Sequence, residues 1–206
     1  MRSLVRVAIC LLFVFTIGTV LASASTLNGI VYQNIVDPNN ADDPANWNTL
    51  GPYATFQAPA INFDSRVTGY TPNLFLNLPQ FVSFNSFDPN GDLNNTEIVI
   101  TGLQYLSSGW NKFYITHDDG VSISMPGVSF TFDQPGPTSP VIDYFAINNP
   151  GAPGNYNFTL NYAECCGAPA VLVTNLGTAT PEPGTLLMLG SGVLGLAGVV
   201  RRKLSL

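Results

Sequence analysis

Tyr156-Asn157-Phe158-Thr159-Leu160-Asn161-Tyr162 alternates aromatic or aliphatic residues with short polar ones over seven positions. Successive side chains of an extended chain point to opposite faces, so this spacing predicts a β-strand with one face buried and the other wet. Outward from it, short runs rich in β-branched and aromatic residues recur: Gly29 to Tyr32, Ala60 to Phe63, Phe81 to Phe84, Thr96 to Ile100, Lys112 to Thr116, Val121 to Ser124, Val128 to Phe132, Val141 to Ile147 and Ala170 to Thr174. Clusters of Gly, Pro, Asn and Asp separate them, such as Asp88-Pro89-Asn90-Gly91-Asp92 and Asn148-Asn149-Pro150-Gly151, whose backbone preferences favour turns. No stretch sustains a 3.6-residue period between caps. Ten short strands in one domain predict an all-β protein, a β-sandwich or jelly roll. The Asn- and Pro-rich stretch from Asp37 to Pro59 reads as a long irregular surface excursion.

Both ends of the 206-residue chain read as addresses rather than fold. Arg2 and Arg6 form a basic start, Val7 to Val20 is almost wholly apolar, and Ala22-Ser23-Ala24 is a small-residue cleavage site. That order predicts a secretory signal peptide, residues 1–24. At the other end Pro181-Glu182-Pro183 precedes an uncharged apolar run, Gly184 to Val200, and then Arg201-Arg202-Lys203. As a helix the run would span about 25 Å, within reach of a membrane crossing, with the basic cluster on the cytoplasmic side. The order of these features in 181–206 resembles the PEP-CTERM sorting signal of Gram-negative bacteria. The resemblance implies handling by an exosortase, transient anchoring in the inner membrane through the C-terminal helix, and delivery to the cell envelope, cell surface or an exopolysaccharide-rich biofilm matrix.

The domain left between the ends, residues 25–180, holds only Arg66 and Lys112 against ten Asp and two Glu, a net charge of about −10 by subtraction. Such a surface repels nucleic acid and anionic headgroups, while cations and neutral glycans remain compatible partners. Solubility of an exported domain explains the same charge.

Lys112-Phe113-Tyr114-Ile115-Thr116-His117-Asp118-Asp119-Gly120-Val121-Ser122-Ile123 reads as a strand, an Asp-Asp-Gly turn and a second strand. Gly154-Asn155-Tyr156 leads to Tyr162-Ala163-Glu164, and Gly167-Ala168-Pro169-Ala170-Val171-Leu172 follows. Together, over Lys112 to Thr174, these segments resemble the β-sandwich first named from the protective antigen, the PA-fourteen domain, which also occurs in sugar-binding adhesins. In the adhesin branch the Asp-Asp pair carries a cis peptide and holds calcium, which in turn holds sugar hydroxyls. The resemblance therefore implies Asp118 and Asp119 as calcium ligands; the loop at Glu164, Cys165 and Cys166 is the candidate glycan contact beside them, with Trp110 as an aromatic suited to stacking on a sugar ring. Calcium takes six to eight oxygens, which adjacent carboxylates help supply. An ordinary hairpin turn with Gly120 at positive φ is the competing reading of the same three residues. Asp88 to Asp92 imitates the start of a calcium loop, but Leu93 and Val99 stand where an EF-hand needs Gly and Glu, so it reads as a turn.

Cys10 leaves with the signal peptide, so Cys165 and Cys166 are the only cysteines of the exported domain. In an oxidising compartment they predict a vicinal disulfide, with a cross-link to another chain or a soft-metal site as alternatives. His117 is the single histidine, and no nucleophile elbow, phosphate loop or histidine cluster is present. The sequence thus favours a non-enzymatic domain. It is either a lectin-like module, in which Trp47 and Trp110 are suited to stacking on sugar rings, or a structural protein of the matrix or envelope that binds nothing.

Overall fold

The alternation at Tyr156 to Tyr162 is realised in a long strand that sits near the middle of the larger of two sheets. The computed structural model describes residues 26–35, 51–78, 81–178, 190–192 and 195. Residues 24–179 form one compact unit. Its elements are β1 (Leu27–Gln33), β2 (Tyr53–Ala58), β3 (Asn62–Asp64), α1 (Ser65–Thr68), α2 (Pro72–Leu76), β4 (Val82–Phe84), β5 (Thr96–Leu106), β6 (Gly109–His117), β7 (Val121–Met125), β8 (Phe130–Gln134), β9 (Val141–Asn149), β10 (Gly154–Glu164) and β11 (Val171–Thr174). The strands make a seven-stranded sheet in the order β4-β2-β1-β5-β10-β7-β8 and a four-stranded sheet in the order β3-β11-β6-β9. Every pairing is antiparallel.

The period of two decides what each strand buries. On β10, Phe158, Leu160 and Tyr162 face the other sheet, while Asn157, Thr159 and Asn161 face outward. Register carries the pattern sideways: Phe158 pairs with Gly102, Leu160 with Ile100 and Tyr162 with Ile98. Leu27, Val31, Ile98, Ile100, Ile115, Ile123, Leu160 and Leu172 are all fully or almost fully buried between the sheets. Each such side chain contributes roughly 1.5–3 kcal/mol by leaving water. A Cβ at Gly102 would lie 2.4 Å from Leu27 Cδ2, so any larger residue there would force the Leu27 side chain to shift.

Each of the ten expected strand runs overlaps an observed strand, although the one expected at Ala60 to Phe63 begins two residues later, at Asn62. The stretch Asp37 to Pro59 is not wholly irregular, because Tyr53–Ala58 forms β2. Tyr-Ala-Thr-Phe-Gln-Ala alternates well enough to pair with β1 over six residues, but its Pro- and Asn-rich flank hides it. Two helical turns also escaped the sequence reading. Asp64 caps α1 by accepting from the Arg66 amide, and Thr71 caps α2, which carries Pro72 in its first turn. The signal peptide, Trp47, the Pro181-Glu182-Pro183 motif, Arg201 and Arg202 lie outside the described residues, as does most of the predicted span 184–200. Positions 190–192 and 195 of that span are helical. Among the described residues no helix is long and apolar enough to cross a membrane.

Candidate metal centre

β6 ends at His117 and β7 begins at Val121, so Asp118 and Asp119 lie where the chain crosses from the small sheet to the large one. The crossing is made by Asp119 at φ 40°, in the left-handed region, rather than by Gly120. The Asp118–Asp119 peptide is trans, unlike the resemblance's expectation, and the cis bond among the described residues is Ala168–Pro169. Asp tolerates positive φ better than most residues, so the reversal needs neither a glycine nor a cis bond at this position.

The end of β10 brings Glu164 to the same place. Its carboxylate and those of Asp118 and Asp119 lie with ligand oxygens within 4.8 Å of one another, and all three residues are buried. Arg66 and Lys112 are the only cations between residues 25 and 180. Arg66 is held in a forked pair with Asp64, its Nη2 2.6 Å from Oδ2, and acts on Asp118 only at longer range, so among the described residues no Lys or Arg forms an ion pair with the three clustered carboxylates.

Hydrogen-bond donors position each of them instead. Asp118 Oδ1 accepts from the Val171 amide at 2.7 Å and from the Tyr162 hydroxyl at 2.6 Å. Asp119 accepts from the Cys165 amide at 2.8 Å and the Thr138 amide at 3.3 Å. Glu164 accepts from the Tyr70 hydroxyl at 2.6 Å, and its other oxygen lies against the Tyr162 hydroxyl, whose single proton serves either Glu164 or Asp118. Asn94 fixes the periphery, its Oδ1 accepting from the Gly167 amide at 2.8 Å and lying 2.8 Å from the Tyr70 hydroxyl. His117 buttresses the turn from below. Its Nδ1 faces the carbonyls of Asp118 and Asp119 at 3.2 and 2.9 Å, and its Nε2 lies 3.0 Å from Asp143.

Burial governs the electrostatics. Loss of hydration pushes the Glu164 carboxyl up to about 9, and the neighbouring Asp118 and Asp119 add to the rise, while the Tyr162 and Tyr70 hydrogen bonds oppose it. Asp118 and Asp119 are raised for the same first reason. Both phenols are raised by burial and by Glu164, so they stay protonated and act as donors. Without a cation, the cluster keeps protons that isolated carboxylates would lose.

Of the glycan-loop residues that the sequence suggested, Glu164 and Cys165 join the centre. Cys165 is disulfide-bonded to Cys166, which is exposed beside it. Trp110 does not join. It stands near the opposite end of β6 from His117, seven residues and so about 23 Å away, on the outward face of the small sheet. Asp88 to Asp92 is a pair of local turns, with Asp88 capping the Asn90 amide and Asp92 the Asn94 amide. Tyr70 and Asn94 had no sequence signal, since they reach the site from loops 94 and 73 positions from their partners. Tyr162 was visible only as one member of Tyr-x-Glu.

The antiparallel two-layer sandwich has relatives of the same fold among solved structures. A PA14 sugar-binding domain from an RTX adhesin superposes with a TM-score of 0.51 at 18% identity, over 74% of this chain and 89% of that one. The PA14 domain of the MpAFP antifreeze protein gives a TM-score of 0.47 at 23% identity, over 72% of this chain and 78% of that one. No curated protein matches the chain in sequence. Residues 179–203 match the PEP-CTERM protein-sorting motif, so the chain carries the signal of an exported protein of the cell envelope.

Proposed function

We propose that the domain is a glycan-binding module rather than an enzyme, and that it works through one calcium ion held by Asp118, Asp119 and Glu164. The observation that carries this reading is the gathering of three buried carboxylates that, among the described residues, form no ion pair with a lysine or arginine. Burying like charges together is costly, and a divalent cation offsets that cost directly. The donors are all oxygen, which suits a hard cation and not a thiolate-seeking one. Three side chains fall short of calcium's six to eight ligands, so the remaining positions are open to water, backbone oxygen and vicinal sugar hydroxyls. The sugar-binding domain that shares the fold supports the same reading.

Export supplies the setting. The sorting motif implies an exosortase as processing partner, and the mature chain would run from near Ser25 to near Pro181 at the surface of a Gram-negative cell, after transient anchoring in its inner membrane. There the glycan at hand is exopolysaccharide.

Calorimetric titration of the exported protein with calcium, and then with neutral exopolysaccharide fragments, tests the proposal. Wild-type protein binds one equivalent of calcium and binds glycan only when calcium is present. The D118N/D119N variant, which keeps side-chain size but loses two charges, binds neither. At a hundredfold excess over Kd, calcium should add about 2.7 kcal/mol to unfolding stability. No heat and no stabilisation at millimolar calcium would leave a structural envelope protein as the reading.

A further inference from the structure

The outward face of the small sheet carries a second feature, remote from the carboxylates. On β6 it presents Trp110, Lys112, Tyr114 and Thr116, and on β9 it presents Ile142, Tyr144, Ala146 and Asn148. Tyr114 lies directly opposite Tyr144, and Lys112 lies between Trp110 and that tyrosine pair. Trp110 is 71% exposed and Tyr144 80%, so neither ring is part of the core. Along β6 the Trp110 and Tyr114 positions are four residues apart, about 13 Å. Exposed aromatics gathered on one flat face mark an interaction surface rather than a packing remnant.

Charge identifies the occupant. The domain is strongly acidic, yet neither strand turns a carboxylate outward on this face, since Asp143 points inward to His117. The face holds Lys112, and of the two cations between residues 25 and 180 the other, Arg66, is spent on Asp64. We infer that this face is a second glycan platform, for an acidic polysaccharide: Trp110 and the Tyr114–Tyr144 pair stack on the apolar faces of two sugar rings, and the Lys112 ammonium meets a uronate carboxylate between them. An aromatic π-face is electron-rich and attracts the weakly positive C–H bonds of a pyranose ring. A lone exposed ammonium discriminates charge without binding tightly, so it selects the acidic polymer while the rings supply affinity. The neutral-glycan reading of the carboxylate site is not required for this one, because a platform of rings and lysine needs no calcium.

The test uses the exported protein in EDTA, which silences any calcium-dependent site. The W47F background leaves Trp110 as the only tryptophan outside the leader, so its fluorescence reports the platform directly. Polygalacturonate is the probe, with its fully methyl-esterified form as the uncharged control. Polygalacturonate should shift Trp110 emission. In a pull-down on the immobilised polymer, W110A and Y144A should each weaken binding about tenfold. K112Q should weaken it about two- to fivefold and remove the preference over the methyl ester, whereas K112R should retain both. Raised salt should narrow the difference between K112Q and wild type, because it screens the exposed ammonium. D118N/D119N should bind the polyuronate as wild type does, so failure of the calcium reading and failure of this one are distinguishable. The inference is overturned if polygalacturonate leaves Trp110 emission unchanged, or if the ester binds equally well. It is also overturned if the protein is a dimer that Y144E dissociates, which would make the face a contact between copies.

Discussion

β6 carries two chemistries at its two ends. At His117 it delivers Asp118 and Asp119 into a buried cluster in which each of the two lies against two hydrogen-bond donors. At Trp110 it offers a side chain to solvent. The first end is specified by chain segments far apart in sequence, the second by one strand and its neighbour. Charge is therefore expensive to place and fixed in geometry, whereas apolar surface at the other end costs the fold little and depends on local register alone.

Two tyrosines break or sharpen that contrast most sharply. Tyr162→Phe removes the hydroxyl that lies between Asp118 and Glu164 and leaves a buried Glu164 oxygen without that partner, so it should cost about 1–3 kcal/mol. Tyr144→Phe alters an 80%-exposed side chain and should cost under about 0.5 kcal/mol. Urea unfolding of both variants in EDTA checks this, and equal effects would undo the contrast.

Acidity acts on one end only. Glu164 has a folded value of about 9 against an ordinary 4.5, so between those limits the folded state holds a proton that the unfolded state has released. Stability then falls as pH rises, because the folded state binds more protons. Asp118 and Asp119, also raised, extend the window toward lower pH. In EDTA the urea midpoint should thus be lower at pH 8 than at pH 5.5. With calcium bound the ionised forms are favoured and the trend should flatten or invert. A midpoint in EDTA that rises across this range would show that the carboxylates are already paired with a cation.

The smallest effect belongs to the disulfide. The oxidised protein should show no free thiol by alkylation, and reduction should expose two. Closing a bond between neighbours constrains the unfolded chain little, so the loss of global stability should be small. Hydrogen exchange should instead quicken at the Cys165 amide, whose partner is Asp119.

Legibility in the sequence followed the same division. Strand positions were readable because a period of two is local, as at Tyr156 to Tyr162, and Asp118, Asp119 and Glu164 were readable through Asp-Asp-Gly and Tyr-x-Glu. Tyr53–Ala58 was hidden by its neighbours' composition, although six residues of pairing make it a full member of the large sheet. Tyr70 and Asn94 were not readable, since nothing local distinguishes a loop tyrosine that donates to a carboxylate 94 positions away. Trp110 was assigned to the carboxylate loop from its residue type, and the length of β6 moves it to the far end of the strand. Sequence shows what a residue is suited to do, while strand length and register decide what it reaches.

The amide of Val171 is one of the donors that hold Asp118, and Val171 opens β11, the last strand of the domain. β11 also closes the small sheet by lying between β3 and β6. A polypeptide emerges N-terminus first, so this donor appears only with the fifty-third residue after Asp118. Until then the acidic crossover lacks its frame and the small sheet lacks its central link. The frame around Asp118 is thus completed only when the C-terminal strand arrives, immediately before the sorting signal at 179–203, so a domain cut short of β11 would carry the acidic pair without the donors that hold it.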